Sequence, residues 1–264
     1  MLGVSLLTMT FSFEATAQTC KPVPTCAELG YTETSCSGDS LKCPFDTTKL
    51  YCVPQGGGDC DIGSFYYADN TCSRIPKTNK KAIGVVFDPI NRIAISYRND
   101  DIDRNTSSSY YWSDNASTID IPTLKNYTSK DEALTDMNGK ANTDAIVTYG
   151  KQKGYTYQAA KYCYDMTLGN KKWYLPSAGE AAIFGRICPI IEAISVLGDP
   201  TSGDIIWTCY SGGSSYVATS TEYNASSVWM LKLTPNTNTY KWFNSDLTTQ
   251  NKRSGFRIKC IFKY

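Results

Sequence analysis

At 264 residues the chain can bury a full-sized core and still carry a small extra module. Its formal net charge is +1 and no run of Lys or Arg stands out, so the basic stripe that nucleic acid or an anionic membrane needs as a partner is missing. Histidine is absent altogether, which removes Ser-His-Asp triads, Cys-His dyads and His-ligated zinc together.

Residues 1–17, "MLGVSLLTMTFSFEATA", read as a signal peptide, a short apolar stretch followed by the small-x-small pattern Ala15-Thr16-Ala17. The apolar part is too short to cross a bilayer, so no transmembrane segment is expected. Eleven cysteines agree with a secreted or cell-surface protein, because disulfides persist outside the reducing cytosol. Paired C-x-x-C knuckles are lacking, and neither a metal site nor a cofactor is expected. Eleven is odd, so at least one thiol is unpaired or bonded to another chain.

Residues 18–60 read as a cysteine-rich disulfide module. Cys20, Cys26, Cys36, Cys43, Cys52 and Cys60 crowd together with almost no apolar periodicity between them, and six cysteines allow 15 pairings. So short a segment depends on cross-links for stability. "QGGGD" marks a joint, and residues 61–264 form the main domain.

Strand signals open that domain. "SFYYADNTCS" is a hairpin turning at Asp69-Asn70, and "AIGVVFDPINRIAISY" is a second, turning through Asp88-Pro89-Ile90-Asn91. Residues 99–130, rich in Ser, Asn, Asp and Tyr, read as a long surface excursion with Trp112 as an aromatic anchor. "DMNGKANTD" gathers Asp136, Asn138, Asn142 and Asp144, but it fails the calcium-loop pattern. It reads instead as a turn into a helix capped by Asn142 or Thr143.

"TYQAAKYCYDM" places Ala159, Ala160, Cys163 and Met166 on one helical face, ended by Gly169 and Asn170. "LPSAGEAAIFGRICPIIEAISVLG" gives a second helix, with Ser177 and Glu180 as a capping box and Pro189 expected to kink or split it. Strands return in "DIIWTCY", "SVWMLKL", "TYKWF" and "GFRIKCIFKY". This order points to an α+β domain, an antiparallel sheet with two flanking helices.

The segments "DMNGKANTDAIV", "AAKYCYD", "KWYLPSAGE", "YVATSTEYNASSVWML" and "GFRIKCIF" resemble one bacterial family. These are secreted C-type-lectin-fold domains, found at the ends of collagen-like adhesins and in variable proteins of diversity-generating retroelements. The resemblance spans roughly residues 62–264 and implies a C-type-lectin-like domain that binds ligand through its later strands and loops. It also suggests a Cys163–Cys260 bond. Cys188 and Cys209 could then make a second bridge, leaving Cys72 over. The Glu-Pro-Asn and Gln-Pro-Asp tripeptides of calcium-dependent sugar lectins are absent, and "WFNSD" only loosely echoes Trp-Asn-Asp.

Within residues 210–254 about half the positions are Ser, Thr, Asn or Tyr, the mixture that antibody paratopes favour. Residues 219–222 read as a turn leading into the strand 228–233, with Trp229 either in the core or on the contact face. Tyr223, Asn224, Ser226, Trp229, Tyr240, Trp242 and Asn251 are the candidate ligand-binding residues. Several of these positions also fit the adenine-rich codons that retroelements diversify.

The expected function is an exported, non-catalytic ligand-binding or adhesin-type protein whose partner is a protein or glycan on a surface. The alternative is a structural surface or filament component that uses the lectin-like domain for assembly. With no histidine and no evident general base, enzymatic activity is not expected.

Overall fold

A computed structural model describes residues 32–33, 40–43, 46–52, 60–74, 77, 79–96, 110–113, 119–195, 215–235 and 243–264. The signal-peptide reading of 1–17 and the strand expected at "DIIWTCY" lie outside the described residues.

Strands β1 (Thr32–Glu33), β2 (Ser40–Cys43) and β3 (Asp46–Cys52) pair antiparallel in the order β1-β3-β2. The cysteine-rich stretch thus contains a small sheet that no apolar period announced. Its longest strand, "DTTKLYC", draws on Thr47, Thr48 and Tyr51, whose branched or aromatic side chains favour a pleated backbone.

Both expected hairpins are present. In the first, β4 (Phe65–Tyr67) pairs with β5 (Cys72–Ser73) around a turn in which Asn70 has φ +67°. Asp69 holds that turn by accepting hydrogen bonds from the Thr71 amide at 3.1 Å and the Thr71 hydroxyl at 2.6 Å. In the second, β6 (Ala82–Asp88) pairs with β7 (Ile93–Ser96), and the Asp88 carboxylate accepts from the Asn91 amide at 3.0 Å.

The next elements are β8 (Tyr110–Tyr111), α1 (Lys130–Leu134), α2 (Gly139–Lys153), α3 (Gln158–Asp165) and α4 (Ala178–Ser195). After them come β9 (Ser215–Asn224), β10 (Ser227–Pro235), β11 (Phe243–Asn251), β12 (Gly255–Phe256) and β13 (Ile261–Lys263). Two larger antiparallel sheets result, in the orders β13-β7-β6-β4-β5 and β11-β10-β9, with a two-stranded β12-β8 pair beside them.

The α+β expectation is met with more helix than the two flanking helices it named. The helix expected after the turn in "DMNGKANTD" is α2, which starts at Gly139, ahead of the expected caps Asn142 and Thr143. Thr143 lies inside the helix and fully buried, where its hydroxyl donates to the Gly139 carbonyl at 2.8 Å and accepts the Leu175 amide at 3.0 Å. Gly139 permits this close docking, because a Cβ there would meet Glu180 Oε2 at 2.2 Å and the Ser177 nitrogen at 2.7 Å.

α3 buries Ala159, Ala160 and Cys163, the face read from the sequence. α4 runs unsplit across Pro189, so of the expected kink or split the split does not occur. One half of its capping box forms, with Glu180 Oε2 accepting the Ser177 amide at 2.9 Å. The Ser177 hydroxyl instead reaches the Asp136 carbonyl at 2.7 Å.

Most of the central strands are covered on both faces. β10 sends Trp229, Leu231 and Leu233 into one apolar cluster with Phe184 of α4, and Val228 and Met230 into the other with Trp112 and Phe256. Continuous burial replaces the one-sided alternation of a solvated sheet. Trp112 is 1 % exposed and donates from Nε1 to the Thr219 carbonyl at 2.8 Å. The described part of the expected surface excursion is therefore stitched into the core by Trp112 and Ile121.

Cys163 and Cys260 are bonded across 97 residues, tying α3 to the approach of β13, a cross-link worth roughly 2–5 kcal/mol. Cys72 is not left over, because it is bonded to Cys60. The β4–β5 hairpin brings Cys72 back toward the domain entrance, where Tyr264 also donates its hydroxyl to the Cys60 carbonyl at 3.1 Å. Cys60 is therefore covalently joined to the main domain. Cys188 is also disulfide-bonded, while Cys209 lies outside the described residues.

Candidate binding face

The stretch 219–222, expected as a turn, is the middle of β9, and all four residues are buried. Val217, Thr219 and Thr221 alternate as β-branched residues, a strand signal that the hydroxyl-rich composition hides. The polar atoms go inward because each finds a partner. Thr219 donates to the Trp229 carbonyl at 2.6 Å and Ser220 to the Pro176 carbonyl at 3.3 Å. Thr221 donates to Asp136 Oδ2 at 2.6 Å while accepting the Ala178 amide at 2.8 Å.

Asp136, weighed in sequence as a calcium ligand, is thus a buried link between β9 and the entry to α2. Its carboxylate also accepts from the Asn142 side chain at 2.9 Å and the Asn138 amide at 3.1 Å. Asp144 pairs with Lys140 on the helix surface. Among the described residues no group of three His, Cys, Asp or Glu could hold a metal ion, and no helix is long and apolar enough to cross a membrane.

Glu222 closes the row. Its side chain has no exposed surface and forms an ion pair with Lys252, itself 4 % exposed. Glu222 Oε2 accepts the Ile121 amide at 3.2 Å, and its carbonyl accepts the Tyr127 amide at 3.0 Å. The Lys252 ammonium also donates to the Ile119 carbonyl at 2.9 Å and sits 5.0 Å over the Trp112 ring. Burial pushes the Glu222 carboxyl above its ordinary range, and the Lys252 charge opposes that push. One buried pair therefore holds three segments together, 119–127, the end of β9 and the turn after β11.

Those segments end in polar turns. Asn224 Oδ1 accepts the amides of Ser226 and Ser227, each at 2.9 Å, and so fixes the β9–β10 turn. Asn251 Oδ1 accepts the Arg253 amide at 2.9 Å in the neighbouring turn. The two turns are joined by the Lys252 amide donating to the Ser226 carbonyl at 3.0 Å. Beside them, Asn126 is bonded to Asp120 at 3.1 Å, and the Lys125 ammonium lies 4.5 Å over the Tyr127 ring.

The structure divides the candidate residues into three groups. Asn224, Ser226 and Asn251 come together on this face, with Asn224 and Asn251 exposed. Tyr223 is half-buried beside them, its ring edge-on to Trp229 with centroids 5.6 Å apart. Trp229 is 6 % exposed, and its Nε1 donates to the Tyr127 carbonyl at 2.7 Å, so it supports the face from beneath. Tyr240 and Trp242 lie outside the described residues. The described residues that flank them in the chain, Pro235 and Phe243, pair at the opposite end of β10–β11 from Ser227 and Asn251, about 25 Å away at 3.3 Å per residue.

Glu222, Lys252 and Asp136 organise this face, and the sequence reading passed over their roles. The strand period of residues 216–224 was the available signal for Glu222. Nothing in the sequence pairs Glu222 with Lys252. Comparisons with family models, curated proteins and solved structures find no match to this chain.

Proposed function

We propose that this chain is an exported, non-catalytic ligand-binding or adhesin-type protein of the secreted or cell-surface class, with a C-type-lectin-like main domain. Its contact face is the polar end of the β9–β10–β11 sheet, and its partner is a protein or glycan displayed on a surface. One observation carries this reading: the Asn224 and Asn251 turns are anchored side by side on the buried Glu222–Lys252 pair. Polar contact groups mounted on a rigid base lose little conformational freedom on binding, which favours affinity. The cysteine cross-links and the absence of histidine agree with an extracellular binding role rather than with acid–base chemistry.

The test is to probe the full chain, displayed on beads, against arrays of glycans and of cell-surface proteins. A discrete set of ligands is expected to bind. The double variant Ser226→Arg/Asn251→Arg is expected to abolish that binding while melting within a few degrees of the wild type. No ligand on either array, or binding indifferent to the double variant, defeats the proposal.

A further inference from the structure

Away from that face, a groove lies between α3 and the start of β6, with a volume of about 650 Å³. That size suits a small molecule. Its shape follows from the short 3₁₀ turn Leu168–Asn170 after α3. Gly169 there has φ +63°, and a Cβ on it would meet Ile83 Cδ1 at 2.4 Å, so the turn presses against β6. Lys81, the residue ahead of β6, lines the groove together with Gln158, Lys161 and Tyr162 of α3.

The lining has two characters. Tyr162, Met166 and Leu168 are partly buried against the core and form an apolar wall. Of the charged lining residues, Lys161 is ion-paired with Asp165, so Lys81 supplies the net positive charge. Gln158 Oε1 accepts the Tyr111 amide at 3.1 Å, which orients its side chain and leaves the amide N–H₂ as a donor.

We infer that this groove binds a small ring-bodied carboxylate, its ring against Tyr162, Met166 and Leu168 and its carboxylate at Lys81 and the Gln158 amide. An ammonium and an amide donor suit a carboxylate, and an apolar wall suits either a sugar ring or an aromatic ring. The groove shares no residue with the binding face at the Asn224 and Asn251 turns, and it stands or falls without that reading.

Isothermal titration of the full chain with glucuronate and with benzoate tests it, with glucose and benzyl alcohol as their neutral counterparts. At least one anion is expected to bind saturably, and at least about tenfold more tightly than its neutral counterpart. Lys81→Met, an exposed site whose change leaves the melting temperature alone, is expected to weaken that anion by about tenfold. Ser226→Arg/Asn251→Arg is expected to leave it unchanged. Whether glucuronate or benzoate wins identifies the ring as a sugar or an aromatic. Binding of both anions weaker than about 10 mM, equal binding of the neutral molecules, or an unaffected Lys81→Met variant overturns the inference.

Discussion

The segments 219–222 and 224–227 draw on similar small polar residues, stand almost adjacent in the chain, and end in opposite environments. In the first, hydroxyl and carboxylate oxygens are buried and bonded to distant partners, Thr221 to Asp136 and Glu222 to Lys252. In the second, the side chains of Asn224 and Ser226 spend their hydrogen bonds on their own turn, Asn224 exposed and Ser226 partly so. Composition therefore does not separate a contact surface from a polar core. What separates them is whether a partner side chain arrives from elsewhere in the fold, since a buried polar group is tolerated only when it is satisfied.

The largest break in this contrast comes at Glu222. Glu222→Ala leaves the Lys252 ammonium buried without its carboxylate and is expected to cost about 3–5 kcal/mol in denaturant unfolding. The double change Glu222→Leu/Lys252→Met removes both charges and is expected to recover much of that loss. A double variant no more stable than Glu222→Ala would mean that the two side chains do not act as a pair.

A matched pair of smaller changes sharpens the comparison. Thr221→Val keeps the shape but removes the partner of both Asp136 and the Ala178 amide, with an expected loss of about 1–3 kcal/mol. Ser226→Ala, a few residues along, is expected to stay within about 0.5 kcal/mol of the wild type. Equal losses at the two positions would erase the distinction between the segments.

The smallest effect is a pH dependence centred on the same buried region. Glu180 is fully buried, and burial pushes its carboxyl above the ordinary glutamate value of 4.5, against opposing hydrogen bonds from Ser177 and Tyr174. A raised value in the folded state means that the folded chain binds the proton more tightly than the unfolded chain. Its contribution to stability therefore grows as pH falls from neutral through the folded value toward 4.5. Glu180→Gln, which cannot ionise, is expected to lose that part of the rise. Melting curves of both proteins between neutral pH and about pH 5 provide the check, and parallel curves would remove Glu180 from the account.

The parts of the fold legible in sequence share a short range. The Asp69-Asn70 and Asp88–Asn91 turns bracket apolar runs, and the Ala159-Ala160-Cys163 face repeats at helical spacing, so each was readable within about ten residues. The start of α2 was misplaced because its fit depends on Gly139 docking against Glu180 and Ser177, far along the chain. Of the candidate site, Asn224 and Asn251 stood out only through the Ser, Thr, Asn and Tyr composition of 210–254, while the turns they fix and the anchoring of those turns were not legible. Trp229 shows the same limit, because alternation along β10 cannot reveal that both of its faces are covered.

The sequence by itself determined the α+β class, the two opening hairpins, the helix at residues 158–165 and, by resemblance, the Cys163–Cys260 bond, all now seen in the structure. Tertiary structure alone decided that Cys60 bonds to Cys72, that residues 219–222 are core, and that Asp136 and Lys252 answer them across 85 and 30 residues of chain. The reason is physical. Backbone period and turn preference are properties of neighbours in sequence, whereas the satisfaction of a buried oxygen or sulfur depends on which distant atom the folded chain brings to it.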